Sequence, residues 1–426
     1  MIPPLSAGTV TALFCAFLLA NLLVSFWLTS RQIRHVAAHR DQVPEPFAGR
    51  IPLDAHRKAA DYTIAKARFG LLAEGFGAAV LIGWTLLGGL DALNSAVREA
   101  VQPRWGDLAY QLALFGAFSA IGGLIDLPLG WWRTFRLEQR FGFNRSTLGL
   151  WLADLLKGAV LGALIGAPLL AAVLWVMGAS GGWWWLWAWC LWTGFVLLMQ
   201  LVYPIWIAPL FNQFKPLDDA TLAARVQGLM QRCGFQSKGF FVMDGSRRSA
   251  HGNAYFGGLG KSKRVVFYDT LLARLNTDEI EAVLAHELGH FHHGHIPQRM
   301  AMLFGLSLLG LAGLGWLAGQ HGFYAGLGVL PNLGAPNDAL ALLLFMMAAP
   351  LFTFFISPLM AGHSRRAEFE ADAYACRQTS ARELSSALLK LYEDNASTLT
   401  PDPLYVRFHY SHPPASERLA AMRASA

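Results

Sequence analysis

The sequence predicts a mainly α, polytopic membrane protein with seven transmembrane helices and a smaller water-exposed part that contains a short antiparallel β-sheet. Two observations carry the membrane prediction. Of the 426 residues, 54% are hydrophobic and only 15% charged, whereas an ordinary soluble domain is about a quarter charged. The apolar residues are also gathered into runs near the ~20 residues needed to cross a bilayer. These are Thr9 to Leu28, Leu71 to Leu93, Leu108 to Trp132, Leu155 to Met177, Trp183 to Ile207, Met300 to Ala318 and Ala339 to Met360. A large soluble core would not concentrate them in this way.

Charge justifies the runs in order. No basic segment precedes the first, which therefore reads as an uncleaved anchor. After it come Arg31, Arg34, Arg40, Arg50, Arg57, Lys58, Lys66 and Arg68, and after the third come Arg133, Arg136, Arg140 and Arg145. The connections after the second, fourth and sixth runs hold only Arg98 and Arg104 between them. Basic connections stay in the cytoplasm, so the amino terminus is expected outside and the carboxyl terminus inside. The net charge of +6 is accounted for by these connections, and no nucleic-acid partner is expected. Cys15, Cys190, Cys233 and Cys376 lack metal-type spacing and read as free thiols in packed surroundings. The expected divisions are a five-helix membrane part over 1–207, a motif-bearing part over 208–299, two further spans over 300–362 and a carboxyl-terminal part over 363–426.

Within 208–299, Gly239 to Met243, Asn253 to Phe256 and Arg264 to Tyr268 read as short strands separated by glycine-rich turns. An exposed edge of such a sheet can hold an extended peptide, and Asn253 is a candidate for an amide contact to it or for a turn cap. Next, Asn276 and Glu279 have the spacing of a capping box, and Ile280, Val283, Leu284, Leu288 and Phe291 form an apolar stripe. The helix so marked carries His286-Glu287-Leu288-Gly289-His290. Histidines at i and i+4 share a face and converge on one metal, the spacing of zinc proteases, with Glu287 beside them as a candidate general base.

The pattern is short enough to occur by chance, so a third ligand decides. Catalytic zinc keeps three protein ligands and leaves a fourth position to water. A metzincin would need glycine at 293 and histidine at 296, but the chain has His293 and Ile296. His292, His293 and His295 read as interfacial or supporting groups. The better candidate lies in Ser364 to Asp372, where Glu368 and Asp372 are again i and i+4. One can be a ligand and the other can orient a ligand histidine, while Glu370 points elsewhere. Without the upstream motif the segment would read as a charged helix surface. His286 and His290 lie between the fifth and sixth runs and Glu368 follows the seventh, so the chain returns to one side, the cytoplasmic side, close to the membrane. Farther on, His412 and Arg418 are candidates to stabilise an oxyanion if they return to this site.

These stretches, taken with Asp61-Tyr62-Thr63 and Lys66, Leu127-Pro128, Glu138 with Phe141 to Asn144, Tyr203-Pro204, Asn253-Ala254-Tyr255 and Ser411-His412-Pro413, resemble the integral-membrane CAAX prenyl protease 1 family of zinc metallopeptidases over nearly the whole chain. The resemblance implies one Zn²⁺ per chain held by His286, His290 and Glu368, with Glu287 as catalytic base and Asp372 behind a ligand. It implies that Asn253, His412 and Arg418 attend the substrate or the oxyanion. It also implies seven helices enclosing a water-filled chamber, which Glu74 and Asp126 would line, since carboxylates are costly against lipid. The chain ends Arg423-Ala424-Ser425-Ala426 without the dilysine signal of eukaryotic members, which suggests a bacterial inner-membrane homologue. The expected activity is zinc-dependent hydrolysis of membrane-proximal or CAAX-type prenylated peptides. The alternative is a membrane quality-control protease with no need of prenylation. A transporter with a structural zinc is disfavoured by the open fourth position and by Glu287.

The orientation is open to direct test. A single cysteine introduced into the 208–299 segment should escape a membrane-impermeant maleimide applied to intact cells, and labelling there would invert the topology.

Overall fold

The computed structural model describes residues 5–257 and 262–424. The glycine-rich connection expected near 258–261, like Ser425 and Ala426, lies outside the described residues. Among the described residues, seven helical stretches are long and apolar enough to cross a membrane. The first five comprise α1 (Ala7–Ala38), α2 (Leu53–Trp84), α3 (Gly89–Trp132), α4 (Leu148–Ala179) and α5 (Trp184–Val202). Short α6 (Ala208–Phe211), α7 (Ala220–Arg232), α8 (Asp269–Leu272) and α9 (Thr277–His292) follow. The sixth span is α10 (His295–Leu317), and after the single-turn α11 (His321–Gly326) the seventh is α12 (Asp338–Thr353). A 3₁₀ turn joins α12 to α13 (Ser357–Gln378), and α14 (Ala381–Asp394), α15 (Pro403–His409) and α16 (Ala415–Ala424) complete the chain.

In the first six spans at most 17% of the most apolar stretch is buried, against 44% in the seventh. Side chains such as Leu124, Leu156, Leu164 and Leu309 are accordingly exposed. Lipid satisfies such surfaces, and helices satisfy their own backbone groups within it. One boundary differs from expectation. The second run was drawn across 71–93, but its helix ends at Trp84 and Leu90 already belongs to α3. The chain turns there with Gly88 at φ 76°, left-handed backbone that glycine adopts without a Cβ penalty. Hydropathy stays high through the turn, so the run alone cannot mark it. The cysteines are free, but Cys15 and Cys190 are exposed on α1 and α5, while Cys233 and Cys376 are half-buried.

The short strands were expected to form an antiparallel sheet, but the four-stranded sheet is mixed. It comprises β1 (Phe214–Pro216), β2 (Gln236–Met243), β3 (Ala254–Gly257) and β4 (Ser262–Tyr268), in the order β1-β2-β4-β3. β1 pairs antiparallel with β2 and β3 with β4, whereas β2 and β4 are parallel, with Phe241 opposite Val266 and Val242 opposite Phe267. The reason is the long excursion from Met243 to Ala254, through a 3₁₀ turn at Gly245–Arg247 and a bridge from Ser249 to Asn144. It carries the chain past β2's edge, so β4 inserts between β2 and β3. A central strand is covered on both faces, and Val265, Val266 and Phe267 are all buried. They belong to the core of the water-exposed part with Leu229, Met230, Leu284, Leu288 and Leu388.

Two helices of that core continue directly into membrane spans. α9 turns into α10 at Gly294, again left-handed at φ 69°, and α12 runs on into α13. α9 and α13 pack so closely that a Cβ on Gly289 would stand 3.0 Å from the Ala371 Cα and 3.1 Å from its carbonyl oxygen. Between α1, α2 and the carboxyl-terminal part lies a polar cavity of 570 Å³ whose walls include Gln32, Lys66, Glu74 and His412. Glu74, expected near a span end, stands within α2, lines this cavity and accepts a hydrogen bond from Ser25 Oγ at 2.7 Å. Asp126 is exposed on α3.

The close approach at Gly289 yields a stability prediction. Gly289→Val forces two packed backbones apart and should cost about 1–3 kcal/mol, the usual penalty for overpacking. Thermal unfolding in detergent should show a lowered midpoint, and a midpoint equal to that of the parent would show that the helices yield freely.

Candidate metal centre

The helix that carries the two histidines is fixed at its start by its own sequence. Asn276 Oδ1 accepts from the Glu279 amide at 2.9 Å and Glu279 Oε2 accepts from the Asn276 amide at 2.8 Å, the reciprocal capping box the spacing predicts. Glu279 also accepts from Ser386 Oγ and Lys390 Nζ of α14, each at 2.7 Å. Ile280, Leu284 and Leu288 are buried in the core. Val283 packs half-buried against that core, and both it and Phe291 also line a 350 Å³ cavity together with Asn253, His286, Glu287, His290, Glu368, His412 and Arg418. All the candidate residues but Asp372 therefore line one space, and Asp372 touches it through His286.

His286, His290 and Glu368 each offer a ligand atom within 4.8 Å of the others. His286 Nε2 lies 3.4 Å from Glu368 Oε2 and His290 Nε2 lies 3.4 Å from Glu368 Oε1. A tetrahedral cation with bonds of about 2.0–2.1 Å has ligand-to-ligand edges of about 3.3–3.4 Å, so these separations fit one ion. The donor chemistry agrees. Asp372 Oδ1 accepts from His286 Nδ1 at 2.8 Å, which leaves Nε2 as the lone-pair nitrogen turned toward a carboxylate. Glu368 is 2% exposed and its Oε2 is buried without a hydrogen-bond partner. Two acceptors held face to face in a buried site call for a cation between them. Burial pulls the His286 imidazole down, but Asp372 and Glu368 outweigh it and push it up to about 9.

Glu287 projects into the same cavity, and burial pushes its carboxyl above the ordinary range, against the pull of the His286 and His290 imidazoles. His412 sits at the mouth, largely exposed, with Nε2 3.3 Å from Glu368 Oε1 and Nδ1 2.9 Å from Ser411 Oγ. Arg418 reaches the site from α16 and lines the cavity, and most of its guanidinium is committed to Asp372. Its Nε and Nη2 donate to the two oxygens of Asp372 at 2.7 and 2.6 Å, a bidentate fork that fixes the planar guanidinium. Its Nη1 stays 3.9 Å from Glu368 Oε2. Asn253 is exposed just before β3, the outer strand of the sheet, and its Oδ1 accepts from the Ala254 amide at 2.8 Å.

His295 was expected as an interfacial or supporting group, but its partners were not legible in the sequence. His290 Nδ1 lies 2.9 Å from His295 Nδ1, and His295 Nε2 lies 2.8 Å from Glu370 Oε2. Glu370 does point away from the ligand atoms, as expected, but it ends on this histidine. The i+5 spacing of His290 and His295 spans the break at Gly294, where helical periodicity gives no guidance.

Comparison with known proteins agrees with this architecture. Residues 32–213 match the model described as CAAX prenyl protease N-terminal, five membrane helices, and residues 216–426 match peptidase family M48. The chain is 32% identical to the CAAX prenyl protease 1 homolog of Arabidopsis thaliana over 95% of this chain and 96% of that one. It is 33% identical to CAAX prenyl protease 1 of Saccharomyces cerevisiae over 95% and 93%. The crystal structure of S. mikatae Ste24p superposes with a TM-score of 0.90 at 31% identity, covering 97% of this chain and 98% of that one. With a His-His-Glu triangle at the margin of a seven-span fold, this chain belongs to peptidase family M48 as a multi-pass membrane metalloendopeptidase homologous to CAAX prenyl protease 1.

Proposed function

We propose that the chain is a zinc-dependent endopeptidase whose active site faces the cytoplasm and which hydrolyses CAAX-type prenylated or other membrane-proximal peptides. The observation that carries this reading is the triangle of two Nε2 atoms and one carboxylate in a cavity that also holds Glu287. His286, His290 and Glu368 hold one Zn²⁺, an ion suited to two imidazoles and a carboxylate with a fourth position open. When bound, it supplies Lewis acidity to the scissile carbonyl and to the attacking water. Glu287 takes the proton of that water and returns it to the leaving amine, and its burial makes it the stronger base. His412 donates to the oxyanion as it develops. Arg418 acts one step back, holding Asp372 and through it the His286 ring. The free edge of β3 pairs with an extended substrate, and the Asn253 amide holds its backbone. The basic connections after the first and third spans support the cytoplasmic orientation.

An apolar cavity of 1080 Å³ supports the lipid-modified substrate. Phe195, Met199, Phe235 and Met300 line it, and it shares Tyr255 and Phe256 with the cavity of the metal centre. An isoprenyl chain lying there keeps its peptide beside β3. The polar cavity, which meets the centre at His412, supports the second reading, an enzyme that also draws in unmodified chains.

Metal analysis separates ligands from base. His286→Ala, His290→Ala and Glu368→Ala should each lose zinc, whereas Glu287→Gln should keep one zinc per chain and lose about 10²- to 10⁴-fold in kcat. Full zinc occupancy in Glu368→Ala would remove the third ligand. Substrate class is read from paired farnesylated and unmodified peptides of one sequence. The prenyl reading expects kcat/KM at least about tenfold higher for the farnesylated peptide, a difference of about 1.4 kcal/mol. Equal values favour the second reading.

A further inference from the structure

We propose that His295 and Glu370 are positioning residues for His290, a two-step chain that fixes which of its ring nitrogens faces the zinc. The inference rests on the zinc reading above and assigns residues that reading does not use.

A carboxylate can only accept, so the 2.8 Å contact means that His295 Nε2 carries the proton given to Glu370 Oε2. In the neutral ring the lone pair is then on His295 Nδ1, which accepts. At 2.9 Å from it, His290 Nδ1 must be the donor. That leaves His290 Nε2 with its lone pair toward Glu368 Oε1, 3.4 Å away, where the ion is shared. The direction of the chain is therefore set at its outer end by Glu370, which is more than half exposed, and transmitted through His295, which is 3% exposed. The His295 ring is also held in place, since His293 stacks on it at 5.6 Å with planes 20° apart.

The arrangement parallels the one behind His286, where Asp372 accepts directly from Nδ1. Asp372 and Glu370 are both on α13, as is Glu368. Positions 368 and 372 share a helix face, while 370 lies about 200° around from 368 and is out of reach of the ion. It serves through an intermediary instead. His295 is the first residue of α10, so the chain also ties the zinc helix to the start of the sixth span.

The test uses full-length protein in detergent and a chromophoric chelator competing for zinc. Wild-type protein with one zinc per chain is the control on which the earlier reading stands. His295→Ala and Glu370→Ala should each weaken zinc about 10- to 100-fold, the usual loss for the outer partner of a ligand histidine. Glu370→Gln, whose carbonyl oxygen can still accept from His295 Nε2, should restore most of the affinity. The double variant His295→Ala/Glu370→Ala should be no weaker than His295→Ala alone, because the two act in series, whereas His295→Ala and Asp372→Ala should add. In cobalt-substituted protein the visible bands should move in His295→Ala and stay in Glu370→Gln. Because Glu370 is largely exposed, Glu370→Ala keeps the test open if His295→Ala does not fold. Wild-type zinc affinity in a folded Glu370→Ala, or additive losses in the double variant, would overturn the proposal.

Discussion

The close approach of α9 and α13 at Gly289 is the constraint on which the rest of the site depends. Glycine there lets the backbone of Ala371 come to a distance that any side chain would oppose. His286 and Glu368 lie three residues before the contact residues Gly289 and Ala371, and His290 and Asp372 lie immediately after them. Their separations follow from that contact. Both imidazole-to-carboxylate distances are 3.4 Å because the two helix axes are held at a fixed spacing by backbone, with no flexible side chain between them. Tight packing is what makes a ligand set rigid enough to favour one ion geometry.

A buried cluster of this kind is expensive unless each charge is answered. Asp372 is answered by the Arg418 fork, and the outer carboxylate Glu370 by solvent and His295. Glu368 is the exception, buried with one oxygen unpaired. An unsatisfied carboxylate oxygen therefore sits where three ligand atoms meet. The neighbouring carboxylates that push the His286 imidazole up express the same imbalance from the other partner. An ion in that position removes the cost for all three residues at once.

Continuity of the helices decides where this chemistry happens. α9 reaches α10 through a single left-handed glycine, and α12 reaches α13 through one 3₁₀ turn. Both ligand-bearing helices are therefore continuous with helices long and apolar enough to cross a membrane, which fixes the centre relative to those helices. Two cavities of opposite character meet it, one apolar beside Tyr255 and Phe256 and one polar at His412. Chain segments of different polarity can be handled on the two sides of one metal centre.

Much of this was legible in the sequence, for reasons that are local. Seven apolar runs announce seven spans because crossing a bilayer needs ~20 apolar residues wherever they sit. His286, Glu287 and His290, with the capping box at Asn276 and Glu279, are readable because helical geometry is set by neighbours four residues apart. Glu368 and Asp372 show their shared face for the same reason. What the tertiary structure decided lies across breaks in that periodicity or between distant segments. The parallel pairing of β2 with β4 depends on an excursion whose path no strand pattern encodes. The end of α2 at Trp84 depends on a turn through residues as apolar as the helix. Arg418 finds Asp372 rather than open space because α16 docks 46 residues downstream, and His295 joins His290 only because helix α9 is broken at the left-handed Gly294. Spacing along one helix carries information about its own faces and none about which face another helix will meet.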